Sequence, residues 1–254
     1  TSTFTPIEGV DPTPATGPED YPKVDGTLAH WRPTDRGGAL KMADVSGQGN
    51  DMGLKTAGVA PNSVELSSDH SPLSSAPHSA KFTPASKHNF SYFATDANAP
   101  INKQKFANGY TFETFIKIDK DFGANNHWMA YIARGGTRAA LPNMGETSDL
   151  EEPPATGAIS SLREVQWAFT DISKPTHGYS NWSGDVDADR WLHVAVVDEP
   201  KTGAVTLYID GAPMLRNTYG GGPGAHGING HDNEPWIIGG SIWNGIMDLS
   251  LIHI

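Results

Sequence analysis

The chain has 254 residues, a formal net charge of -11 and no cysteine. That excludes disulfides and thiol chemistry, and it argues against a nucleic-acid or anionic-membrane partner, because such binding draws on clustered Lys and Arg and no such cluster is present. Charged residues are only 19% while Gly (28) and Pro (19) are abundant, a composition of many short strands joined by turns, with no convincing amphipathic helix and no membrane-spanning apolar run.

Residues 1–22, TSTFTPIEGVDPTPATGPEDYP, are rich in Pro, Thr and acid and cannot bury enough apolar area to order themselves. They read as a linker or an arm lying on the domain that follows, residues 23–248. From TLAHWRP onward, short apolar runs recur between turn signals: SAKFT, NFSYFAT, YTFETFIKI, HWMAYIA, REVQWAFTD, RWLHVAVVD, AVTLYIDG and PWIIGGSIW. In REVQWAF, Val165, Trp167 and Phe169 fall on one strand face and Glu164, Gln166 and Ala168 on the other. RWLHVAVVDEPKTGAVTLYIDG predicts a hairpin closed by Asp210-Gly211, with both strands near the middle of a sheet. Three long segments, 135–161, 171–189 and 217–235, read as loops, the places where function concentrates on a rigid scaffold. The expectation is one all-β domain, a two-sheet antiparallel sandwich.

Four stretches resemble the laminin G-like jelly rolls of the concanavalin A-like superfamily, in its bacterial accessory-module branch. LAHWRPTDRGGALKMADVSGQGNDM resembles the opening strand and the D-x-S-G-x-G-N turn, here Asp44, Ser46, Gly47, Gly49 and Asn50; HSAKFTP resembles the strand that Phe82 begins. YTFETFIKID is similar to the aromatic strand, and RWLHVAVVDEPKTGAVTLYIDGAPM to the W-x-H-V-A hairpin. The resemblance implies a concanavalin A-like jelly-roll sandwich and places Trp191 and His193 in its scaffold. Members often carry a structural calcium, and Asp44, Asn50 and Asp248 are the hard-oxygen ligands available for Ca2+; a plain Asx-type turn at Asp44 is the alternative.

The last strand of that family follows the pattern G-x-I-D-E-V-R-I-Y, which GIMDLSLIHI follows as far as Asp248. Beyond it the apolar set is slipped by one, with Ser250 where an inward Val is expected. LSLIHI is also the translation of a transposon end used as a sequencing adapter. Residues 249–254 are therefore read as an adapter-derived tail, which would leave the domain short of a core strand; a genuine terminal strand is the alternative.

No pair of carboxylates in an E-x-D-x-x-E array, no G-x-S-x-G elbow and no H-E-x-x-H is present, so the chain is not read as an enzyme. His226, His231 and Asp232 form a trio of transition-metal ligand types, but their glycine-rich setting does not hold ligand geometry. Carbohydrate recognition needs aromatics to stack on sugar faces and amides or carboxylates to bond hydroxyls. Tyr179, Asn181 and Trp182 supply this in one loop, and His231, Asp232 and Asn233 in another. The resulting expectation is a monomeric, non-catalytic module of a secreted or cell-surface bacterial multidomain protein, binding a glycan or extracellular polymer. Two alternatives stand beside it: a structural or adhesion module that binds protein, and the accessory domain of a hydrolase such as a calcineurin-like phosphoesterase or a glycosidase.

Overall fold

The computed structural model describes residues 24–57, 63–74, 76–83, 90–122, 129–134, 155–170, 178–214, 216–217, 227–228, 234–239 and 247–253. Among these residues the strands are β1 (His30–Arg36), β2 (Ala39–Asp44), β3 (Met52–Ala57), β4 (Val64–Ser67), β5 (Ser79–Phe82), β6 (Phe90–Thr95), β7 (Tyr110–Ile118), β8 (Met129–Arg134), β9 (Ala155–Ile159), β10 (Glu164–Thr170), β11 (Gly178–Asp185), β12 (Trp191–Glu199), β13 (Ala204–Ile209), β14 (Ala212–Pro213), β15 (Arg216–Asn217), β16 (Trp236–Gly239) and β17 (Met247–His253). One 3-10 turn, Pro100–Lys103, interrupts them.

Every strand pairing is antiparallel, and the pairings build two layers. The front layer runs β4-β5-β17-β7-β12-β13-β14. The back layer runs β2-β3-β6-β16-β8-β9-β10-β11-β15. Strand β1 pairs with β17 on one side and β2 on the other, so it joins the layers along one edge. Along the opposite edge β13 lies against β11 with no ladder between them among the described residues. This is the antiparallel sandwich expected from the short apolar runs, in the jelly-roll form that the family resemblance implies.

Period-2 alternation sorts side chains between core and surface. In β7, Tyr110, Phe112, Ile116 and Ile118 point inward, while Thr111, Glu113 and Lys117 point out. In β10, Val165, Trp167 and Phe169 are in the core, on the face the alternation predicts. The two layers meet through these aromatics: Phe112 stacks on Trp167 at 5.3 Å and on Tyr131 at 6.1 Å between ring centroids. Trp167 Nε1 also donates to the Tyr110 hydroxyl at 2.9 Å, which satisfies the one polar atom of a fully buried indole. Tyr131 reaches this position because its ring lies over Gly157, where a Cβ would collide with it.

Three expectations are corrected. Segment 171–189 is not one loop, because residues 178–185 form β11, paired with β10 on one side and β15 on the other. Segment 135–161 likewise contains β9. Neither run is strongly apolar, and what makes each a strand is the unpaired backbone edge that its neighbour offers. The predicted hairpin forms, with Glu199 opposite Ala204, and β12 is central; β13, however, has only the two-residue β14 beyond it and lies near an edge. Asp210 and Gly211 both take positive φ, +51° and +77°, as the tight turn into β14 requires.

Residues 247–253 occupy a strand position in the front layer. β17 pairs with β7 on one flank and with β5 and then β1 on the other. Its register to β7 shifts between Leu249 and Leu251, so Ser250 is the extra residue of a bulge. The one-residue slip legible in the sequence is thus absorbed at Ser250.

Candidate functional site

Strand β11 carries three of the sequence-predicted ligand residues, and strand pleating separates two of them. Asn181 lies opposite Trp167 and turns inward, only 2% exposed; Trp182 lies opposite Gln166 and turns outward, half-buried. Tyr179 takes the position opposite Phe169. The outer surface around Trp182 is completed by Gln166 and Ser180, whose side chains meet at 3.3 Å, the Gln166 amide donating to the hydroxyl. This group joins an indole to an amide and a hydroxyl on a rigid sheet. His231, Asp232 and Asn233, and the His226 of the metal-type trio, lie outside the described residues.

The opposite layer presents a second group that the sequence did not reveal. Trp191 and His193, read as scaffold residues, alternate onto the outer face of β12. Trp191 Nε1 donates to Asp69 Oδ1 at 3.0 Å, and Lys117 Nζ bonds the other oxygen of Asp69 at 2.7 Å and Asp189 at 3.3 Å. The hydrogen bonds from Lys117 and Trp191 hold the Asp69 carboxyl below its ordinary range, and the Asp69 carboxylate in turn raises Lys117. His193 stands over Phe115 with ring centroids 5.0 Å apart, and its Nε2 is 3.3 Å from Glu113. The spacing W-x-H marked a shared face; only the sheet order shows that the face is the outer one.

At the Asp44 turn, Oδ1 accepts the amide of His30 (3.0 Å), the amide of Ser46 (3.0 Å) and the hydroxyl of Ser46 (2.6 Å), and Oδ2 accepts the amide of Asn50 (2.9 Å). Gly47 and Gly49 supply the positive φ that lets the chain fold around this carboxylate. The Asn50 side chain bridges Leu28 O and the amide of Ile101. Both oxygen sets thus already serve the turn, and a cation here would compete with those donors. Asp248 sits opposite Lys81 and Lys117, several residues along β17 from the point where β1 pairs with it, so the strand register separates it from Asp44. Among the described residues no three His, Asp or Glu side chains gather as metal ligands would.

Where β11 and β13 face each other without pairing, a cleft of about 380 Å³ opens. Asp185, Asp187 and Asp210 stand around it with Arg190, over a floor that includes Val186, Ile209 and Met214.

A two-layer antiparallel sandwich joined along one edge by β1 defines a jelly-roll β-sandwich. Residues 91–250, well over half of the chain, match the laminin G-type model of the concanavalin A-like lectin/glucanases superfamily. The chain belongs to that family. Among solved structures it is similar to the binding domain of botulinum neurotoxin DC in complex with SialylT, at TM-score 0.57 and 14% identity, covering 90% of this chain and 47% of that one. It is similar as well to the same toxin's binding domain in complex with rat synaptotagmin II (TM-score 0.57, 13% identity, covering 90% and 48%). A third likeness is to botulinum neurotoxin type C, whose cell entry depends on interaction with two ganglioside molecules (TM-score 0.56, 14%, covering 89% and 47%). The chain spans about half the length of these neighbours, and at such identity the likeness shows the fold. No curated protein matches the chain. Among the described residues no helix is long and apolar enough to cross a membrane.

Proposed function

We propose that the domain is a non-catalytic binding module of a secreted or cell-surface protein and that its ligand is a glycan or an extracellular polymer. The observation that carries this reading is the outward Trp182 beside Gln166 and Ser180 on a rigid sheet. An indole face covers the apolar side of a sugar ring, while an amide and a hydroxyl bond its hydroxyls. Neighbours of the same fold that are described with SialylT or with gangliosides support it.

The test is a glycan array probed with the whole chain and with Trp182→Ala. Binding that the variant loses about tenfold or more, as removal of a stacking aromatic does, supports the reading. An array with no hits, or hits indifferent to the substitution, overturns it. A structural Ca2+ held by the Asp44–Asn50 turn alone, without the Asp248 that the strand register sets apart, is kept as a separate proposal. A melting midpoint that falls in chelator supports it, and an unchanged midpoint overturns it.

A further inference from the structure

We infer that the outer face of the front layer, over β7, β12 and β13, is a second binding site, one that takes a neutral polysaccharide chain. Pleating puts Trp191, His193 and Ala195 of β12 on that face, with Phe115 and Glu113 beside them on β7 and Tyr208 beside them on β13. Four rings share one surface: Trp191, His193 and Tyr208 are half-buried, and Phe115 packs against His193.

Two of these rings are fixed before any ligand arrives. The bond from Trp191 Nε1 to Asp69 uses the only polar atom of the indole, and Lys117 holds Asp69 in turn, so what the ring still offers is its face. His193 is held between the Phe115 ring and Glu113, whose side chain is 39% exposed. An aromatic already ordered loses little freedom on binding, which is the advantage of a preorganised site. Ala195 stands between Glu113 on one side and Tyr208 on the other. Tyr208 therefore lies about 13 Å along the strand direction from Trp191. Rings at the two ends, with Glu113 and His193 between them, fit a chain of sugars better than a single one.

The chemistry of the face selects among ligands. An apolar segment of a partner protein would take Glu113 and Lys117 out of water and return no hydrogen bond for the loss. An acidic sugar would meet the carboxylates of Asp69, Asp189 and Glu113, while the Lys117 ammonium is already held by the first two. A neutral sugar chain suits both demands: its apolar ring faces stack on Trp191 and Tyr208, and its hydroxyls bond Glu113 and His193. The site shares no residue with the Trp182 surface and lies on the other layer, so either proposal stands if the other fails. Where both hold, one domain ties two polymer strands together.

The experiment is native affinity electrophoresis of the whole chain through gels containing hydroxyethyl cellulose, mixed-linkage β-glucan or galactomannan, with polygalacturonate as the anionic comparison. All variants carry Trp182→Ala, so that the other surface is silent. In that background at least one neutral polymer is expected to slow the chain, and adding Trp191→Ala or Tyr208→Ala is expected to weaken the binding about tenfold each, as loss of a stacking ring does. Trp191→Ala also removes a donor from Asp69. Should that variant misfold, Tyr208→Ala at the half-buried surface position gives the same reading, with circular dichroism to check that each chain is folded. No retardation by any neutral polymer in the Trp182→Ala background, retardation indifferent to the added substitution, or stronger binding to polygalacturonate overturns the inference.

Discussion

Trp191 donates its indole N–H to Asp69, 122 residues earlier in the chain, across 3.0 Å. The same carboxylate holds Lys117, so one aspartate fastens the β4–β5 connection to the outer face of β7 and β12. Asp69→Asn keeps one acceptor and loses the charge; the pair is half-exposed, so about 0.5–1 kcal/mol of stability is expected to go, read from urea melts. Lys117→Met is expected to return the Asp69 carboxyl toward its ordinary value, measurable by NMR titration. The sign follows from the depression. The contribution of Asp69 is present above the pKa of the unfolded chain, about 3.9, and is lost as pH falls through the lower folded value.

Asp44 gathers four donors in one turn. Asp44→Ala strands the amides of His30, Ser46 and Asn50 together, and a loss of about 2–4 kcal/mol is expected, with β1 and β2 the first to show faster hydrogen exchange. An Asp44→Ala chain as stable as the parent would show that the turn does not need its carboxylate.

Gly157 has no room for a side chain, because the Tyr131 ring occupies the place of its Cβ. Gly157→Ala is therefore expected to cost about 1–3 kcal/mol by overpacking, and the double variant Gly157→Ala with Tyr131→Leu to cost less than the sum of its parts. Thermal melts of the four chains make the comparison.

Burial raises the phenols of Tyr110 and Tyr131 above the ordinary tyrosine value, with the charge of Asp198 adding to the effect at Tyr110. The unfolded chain releases these protons near pH 10 while the folded one keeps them, so stability is full below that pH and falls above it. Each phenol takes about a factor of ten from the folding equilibrium per pH unit. Ultraviolet titration is expected to show these two tyrosines ionising only as the fold is lost, and Tyr131→Phe to flatten the alkaline limb.

The jelly-roll class rested on the resemblance of four stretches to a known family, while the alternation of REVQWAF, the Asp210-Gly211 turn and the glycines around Asp44 mark strands, one inward face and tight turns. These are local properties, set by side-chain period and by backbone sterics within a few residues. The bulge at Ser250 is not among them: it is visible only in the pairing of β17 with β7.

Pairing decided the rest. GYSNWSGD has too little apolar content to declare itself a strand, and it became one because β10 left an unpaired edge; that choice turned Asn181 inward and Trp182 outward and so split a group that the sequence had read as one site. The outward placement of Trp191, its bond to Asp69 and the cleft at the unstitched edge all depend on which strand lies beside which. Such adjacency is settled by contacts between residues far apart in the chain, and no local pattern of side chains encodes it.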